Sequence, residues 1–121
     1  MRLYRPPVPT REQIEDAFRT MIDGGFRVEG RLVWTYAFTH WSERQLLELR
    51  WRLEDLGYGH ASTARAAASQ DPDAAPLYRL SMSEERCHTP ASLHERLVDI
   101  SQLAIACNVD FEGWEASRVP H

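Results

Sequence analysis

The sequence predicts an α+β fold of the ferredoxin-like βαββαβ type: an antiparallel sheet with helices on one face, preceded by an extra N-terminal helix. Three observations predict it. The run Arg31–Thr39 alternates Leu32, Trp34, Tyr36 and Phe38 with smaller residues, the two-residue period of a half-buried strand. Three other stretches carry apolar residues at the three-to-four-residue spacing of an amphipathic helix. Their order along the chain is α, then β-α-β, then β-α-β, and two such units combine into a four-stranded antiparallel sheet. With 121 residues there is room for one core, so residues 10–119 read as a single domain behind a proline-rich, extended arm at 1–9.

Each element has its own local reason. Thr10 caps the first helix, and Gln13 completes a capping box. Ile14, Ala17, Phe18, Met21 and Ile22 give it one apolar stripe, and Gly24-Gly25 ends it. The clearest strand follows at 31–39. Ser42 then caps a second helix, Gln45 closes its box, and Trp41 is placed to staple onto Leu46. Leu46, Leu49, Leu53 and Leu56 form its seam, widened by Leu47 and Trp51, and Gly57 stops it. Tyr58–Arg65 is a weaker strand, because its alanines favour helix. Prolines and acids make Ser69–Pro76 a loop. Leu77–Ser83 resumes alternation with Tyr78, Leu80 and Met82 on one side. Thr89-Pro90 reads as the cap and first residue of a third helix, whose stripe is Leu93, Leu97, Ile100, Ala104 and Cys107, with Leu103 beside it. Asn108 ends it. Val109–Ala116 is the last strand, with Gly113 marking a bulge.

Composition narrows the function classes. The 43% hydrophobic and 26% charged residues belong to a globular chain. No apolar run approaches the roughly 20 residues that span a bilayer, and Met1–Pro7 lacks the apolar core of a signal peptide, so a cytoplasmic location is expected. The net charge of −4 argues against nucleic acid, whose binding is driven by release of phosphate counterions to a basic surface. All 14 basic residues are arginine, and those at 44, 50 and 52 interleave with acids as exposed helical ion pairs. An acidic domain suits a basic protein partner. Cys87 and Cys107 leave a disulfide open by spacing, though reduced packing thiols are the expectation in the cytosol.

The pattern Thr39-His40-Trp41-Ser42, a leucine-rich helix and then Leu56-Gly57-Tyr58 resembles the first half of the regulator of ribonuclease E activity B (RraB) family. The stretch Cys107-Asn108-Val109-Asp110-Phe111-Glu112-Gly113-Trp114 resembles that family's final segment more closely. The resemblance covers about residues 10–116. It implies a ferredoxin-like domain that binds a ribonuclease and changes its activity without chemistry of its own. Family members often carry a strongly acidic C-terminal tail, whereas this sequence ends at Pro120-His121.

No residue set assembles into a catalytic, cofactor or metal motif. Cys87, His88 and His94 are the closest group of soft ligands, with Cys107 the one further candidate, but no Cys-x-x-Cys or His-x-x-x-His spacing accompanies them. His40 and His60 are isolated. Glu84 and Glu85 point in different directions on a strand, and neither joins a nucleophile. Gly24-Gly25 lacks the rest of a phosphate loop. Ferredoxin-like sheets can bind RNA through aromatics on their open face, but Trp34, Tyr36 and Phe38 share a face with Leu32 and belong to the core. The opposite face offers Val33, Thr35 and Ala37, poor surfaces for stacking. Trp114, Glu112 and Trp41 are the candidate partner-binding residues, since tryptophan is enriched in binding hot spots. For both tryptophans packing against the helices is the competing role. The expected partner is a protein, a ribonuclease or, alternatively, a toxin enzyme neutralised by an immunity protein. No cofactor, no direct nucleic-acid contact and no membrane contact is expected, and no oligomeric state is indicated.

Overall fold

The computed structural model describes residues 8–65 and 77–119. Among these lie three helices, α1 (Arg11–Asp23), α2 (Glu43–Asp55) and α3 (Pro90–Ala106), and four strands, β1 (Leu32–His40), β2 (His60–Arg65), β3 (Tyr78–Arg86) and β4 (Asp110–Arg118). The strands form one open antiparallel sheet in the order β2-β3-β1-β4. The fold is therefore α+β, as the alternating periodicities require. The loop expected over Ser69–Pro76 and most of the N-terminal arm fall outside the described residues.

Alternation along β1 decides which face is core. Leu32, Trp34, Tyr36 and Phe38 are buried, while Val33, Thr35 and Ala37 are only partly covered. Leu80 and Met82 of β3 join the buried side, and Phe111, Trp114 and Ala116 of β4 pack against it. From the helices come Ile14 and Phe18, then Leu46, Leu49 and Leu53, then Leu93, Leu97 and Ile100. Each of these large side chains contributes about 1.5–3 kcal/mol by leaving water. Trp34 sits at the meeting point: Phe18 stacks on it at 5.8 Å, Trp114 tilts against it at 5.8 Å, and its Nε1–H donates to the Arg86 carbonyl at 2.9 Å.

The expected caps are present at α1 and α3. Thr10 and Gln13 form a reciprocal box, and Thr89 does the same with Ser92 directly before Pro90. At α2 the expected box is not formed. Ser42 is the N-cap residue but its hydroxyl caps nothing; its backbone N–H instead donates to His40 Nδ1 at 2.8 Å. Trp41 stays 61% exposed, so it does little as a staple on Leu46. The seam of α2 is also narrower than its leucines suggest. Leu56 is 53% and Trp51 64% exposed, because the sheet meets one side of the helix while these residues fall outside that arc. Ile22, at the end of the α1 stripe, is exposed for the same reason.

Two glycines hold conformations that side chains resist. Gly113 (φ 140°) lies beside the β-bulge, where pairing with β1 shifts between Ala37 and Phe38. Gly59 (φ 127°) opens β2, and a Cβ there would collide with the Ser83 carbonyl oxygen. Beside Gly113 the space is open. Gly113→Ala is accordingly expected to cost about 1–2 kcal/mol from backbone strain alone. Gly59→Ala adds the collision and is expected to cost at least about 1 kcal/mol more. Urea unfolding of the two variants measures the difference, and equal losses would contradict it.

Candidate functional site

On the helix side of the sheet a largely covered carboxylate gathers polar partners from β1, the approach to α3 and α3 itself. Glu84 continues the inward alternation of β3 past Met82, opposite Trp34, and its side chain is only 9% exposed. The Tyr36 hydroxyl donates to Glu84 Oε2 at 2.7 Å, and His88 Nε2 lies 3.7 Å from that oxygen and 3.3 Å from the Tyr36 hydroxyl. His88 Nδ1 meets the Ser92 hydroxyl at 2.9 Å, which ties the cluster to the α3 cap. Arg96 Nε reaches Glu84 Oε2 at 3.2 Å, close enough for an ion pair but without the alignment of a hydrogen bond. Its guanidinium covers the Tyr58 ring at 4.0 Å from the centroid.

The electrostatics follow from these contacts. Burial alone would raise the Glu84 pKa, but the nearby His88 imidazole, the Tyr36 hydrogen bond and the Arg96 charge outweigh it and hold the carboxyl below its ordinary value. Burial, and then the Glu84 charge, push the Tyr36 hydroxyl far above its usual range. A general base must reach a substrate proton. His88 is buried, with the Trp34 ring edge-on at 5.1 Å, whereas Glu84 and Arg96 border a shallow hollow of about 460 Å³ beside Gly57, Tyr58 and Gly59, where the Glu84 carboxylate is already engaged by Tyr36 and Arg96. The arrangement is suited to fastening β1, β3, α3 and the Tyr58 corner together.

The other face of the sheet is different. Antiparallel register places Thr35, Ala37 and Thr39 of β1 beside Ser83, Ser81 and Arg79 of β3, and beside Glu115, Gly113 and Asp110 of β4. Thr35 and Ser83 share a hydroxyl–hydroxyl bond of 3.0 Å. A shallow hollow of about 350 Å³ runs over these small residues, bordered by Glu112, Glu115 and Arg79. Glu112 occupies the bulge, and the buried Thr39 hydroxyl donates to its Oε1 at 2.5 Å.

Against this geometry, the model of the family described as regulator of ribonuclease activity B matches residues 11–116. The chain belongs to that family. A comparison with curated proteins finds no match. The three stretches that resemble the RraB family have distinct structural roles. Leu56-Gly57-Tyr58 turns α2 into β2 and puts Tyr58 under Arg96. Phe111 packs on Phe38 at 5.3 Å, Glu112 and Gly113 build the bulge, and Trp114 packs on Trp34. In Thr39-His40-Trp41-Ser42, Thr39 holds Glu112 and His40 accepts the Ser42 N–H.

The structure thus separates the predicted partner-binding residues. Trp114 is half-buried against the core, Trp41 is exposed at the start of α2, and Glu112 is exposed on the sheet's other face. The candidate metal ligands also part company. Cys87 is exposed with Sγ 3.3 Å from the Glu29 carbonyl, His88 is in the buried cluster, and Cys107 closes α3, where burial pushes its thiol pKa up. Glu84 and Glu85 do diverge, one buried and one exposed. Tyr36 and Arg96 as partners of Glu84, and Tyr58 beneath Arg96, were not anticipated. The signal was a glutamate at an inward-facing strand position, which needs partners when buried.

Two predictions follow from these placements. The depressed folded pKa of Glu84 means that its stabilisation is complete above the unfolded value of about 4.3 and is lost as pH falls through the folded value. Glu84→Gln should lower stability at pH 7 by about 1–3 kcal/mol, with the gap to wild type closing progressively below about pH 4. Urea unfolding across pH 2–7 reads both; a gap independent of pH would remove the ionised carboxylate from the account. Trp114→Ala should cost about 2–4 kcal/mol through lost core packing, whereas Trp41→Ala should stay within about 0.5 kcal/mol. Thermal unfolding of the pair decides it.

Proposed function

We propose that this chain is a non-catalytic regulator that binds a ribonuclease of the ribonuclease E kind and lowers its activity. The observation that carries the reading is the family match over residues 11–116. Net charge of −4 supports a basic protein partner over nucleic acid. The functional unit is the domain at 10–119. The sheet order β2-β3-β1-β4 behind one preceding helix supports its ferredoxin-like description. Among the described residues no helix is long and apolar enough to cross a membrane, in keeping with a partner met in solution. Glu112 and the exposed Trp41 are the proposed contact residues, with Trp114 supporting the strand that carries Glu112. Family membership favours this reading over an immunity protein.

The test is cleavage of a fluorogenic RNA by ribonuclease E at increasing concentrations of the purified chain, with binding followed by calorimetry. Concentration-dependent inhibition with a matching Kd is expected. Trp41→Ala should weaken binding about tenfold or more while leaving thermal stability unchanged. Absence of both binding and inhibition at micromolar concentration would refute the reading.

A further inference from the structure

We infer that the sheet face opposite the helices, along β4, receives an extended segment of the partner protein carrying arginine or lysine at alternate positions. The inference rests on the regulator reading for the identity of the partner, but its physical basis is the face itself.

Register fixes the arrangement. Asp110 pairs with Thr39, Gly113 with Ala37 and Glu115 with Thr35, and Glu112 is the extra residue of the bulge at the middle step. Asp110 and Glu115 thus take the outer two of three same-face steps of β1, and the bulged Glu112 stands beside Gly113 near the middle one despite the uneven spacing 110, 112, 115. Without it, Glu112 and Glu115 would fall on opposite faces. Same-face steps along a strand are about 6.5–7 Å apart. That is also the repeat of alternate side chains in an extended peptide, so cations at alternate positions would match the ladder. The Thr39 hydroxyl already orients Glu112, which limits the side-chain entropy lost on pairing.

The floor beside this ladder is built for close approach. Ala37, Ser81, Thr35 and Ser83 project little, and the hollow above them runs alongside the carboxylates. Long basic side chains could lie across it and keep their backbone near the small residues. Arg79 stands at the Thr39 end of the hollow, where Thr39 also holds Glu112, so the incoming cations belong toward Glu115 and the outer side of Glu112. Nucleic acid fits this face poorly. Its phosphates would meet carboxylates, and the aromatics of β1 that could stack on bases are fully buried on the other side.

The test uses a fluorescein-labelled dodecapeptide with arginine alternating with serine, read by fluorescence anisotropy. The double variant Glu112→Gln/Glu115→Gln keeps an acceptor for Thr39 and preserves shape. Its control is Glu12→Gln/Glu95→Gln, which removes the same charge from exposed positions of α1 and α3. Wild type and control should bind the peptide alike, the β4 variant about tenfold more weakly, and added salt should weaken binding further. Equal loss in both variants, no binding of the peptide, preference for a single-stranded RNA oligonucleotide, or a dimer in sedimentation that the β4 substitutions abolish would overturn the inference. The ribonuclease assay separates the two proposals. If wild type inhibits and the β4 variant inhibits equally, the docking face is wrong and the regulator reading stands. Peptide capture through β4 without ribonuclease inhibition would leave the face and refute the regulator reading.

Discussion

Burial of Trp34 near the start of β1, one of the two inner strands, is the constraint on which the other elements depend. Its strand, β1, is paired on both sides, by β3 and β4, so its backbone is satisfied without regard to the helices. Its ring then has to be covered. Phe18 of α1 stacks on it, Trp114 of β4 flanks it and His88, just before α3, meets it edge-on. The indole N–H is satisfied by the Arg86 carbonyl, so covering the ring strands no donor. One side chain thereby sets the positions of two helices and two neighbouring strands.

Covering Trp34 and Tyr36 also encloses Glu84, which lies opposite Trp34 on the same face. An ionised carboxylate in that position is costly unless partners replace its water. Tyr36, His88 and Arg96 do so from β1, the approach to α3 and α3 itself. Arg96 also lies over Tyr58, so the turn between α2 and β2 is tied to the same charge. The leucine-glycine-tyrosine corner characteristic of the resemblance thus has a structural reason that reaches across the molecule. The polar cluster thus ties β1, β3, α3 and the Tyr58 corner to one carboxylate.

That division gives the two sides of the sheet separate work. The helix side is filled by large apolar groups, whereas the other carries small hydroxylated residues and the carboxylates of β4. The link between them is β4 itself. Its Phe111 and Trp114 anchor in the core while the bulge between them turns Glu112 outward, held by Thr39.

Much of this was legible in the sequence because periodicity is a local property. The alternation through Leu32–Phe38, the Thr10 and Thr89 caps, the core stripe of α3, the bulge at Gly113 and the family resemblance all depend on residues near one another along the chain. The acidic balance pointed to a protein partner in the same way. What failed locally was whatever depended on how far a neighbouring element reaches. Leu56, Trp51 and Ile22 continue helical stripes beyond the arc that the sheet covers, and at α2 the Ser42 hydroxyl caps nothing while His40 takes the Ser42 N–H expected to go to Gln45. The Glu84 cluster and the ladder on β4 were decided only by tertiary structure. One needs Tyr36, Glu84, His88 and Arg96 brought together across as many as 60 positions. The other needs the register of β4 on β1, which a single bulged residue resets.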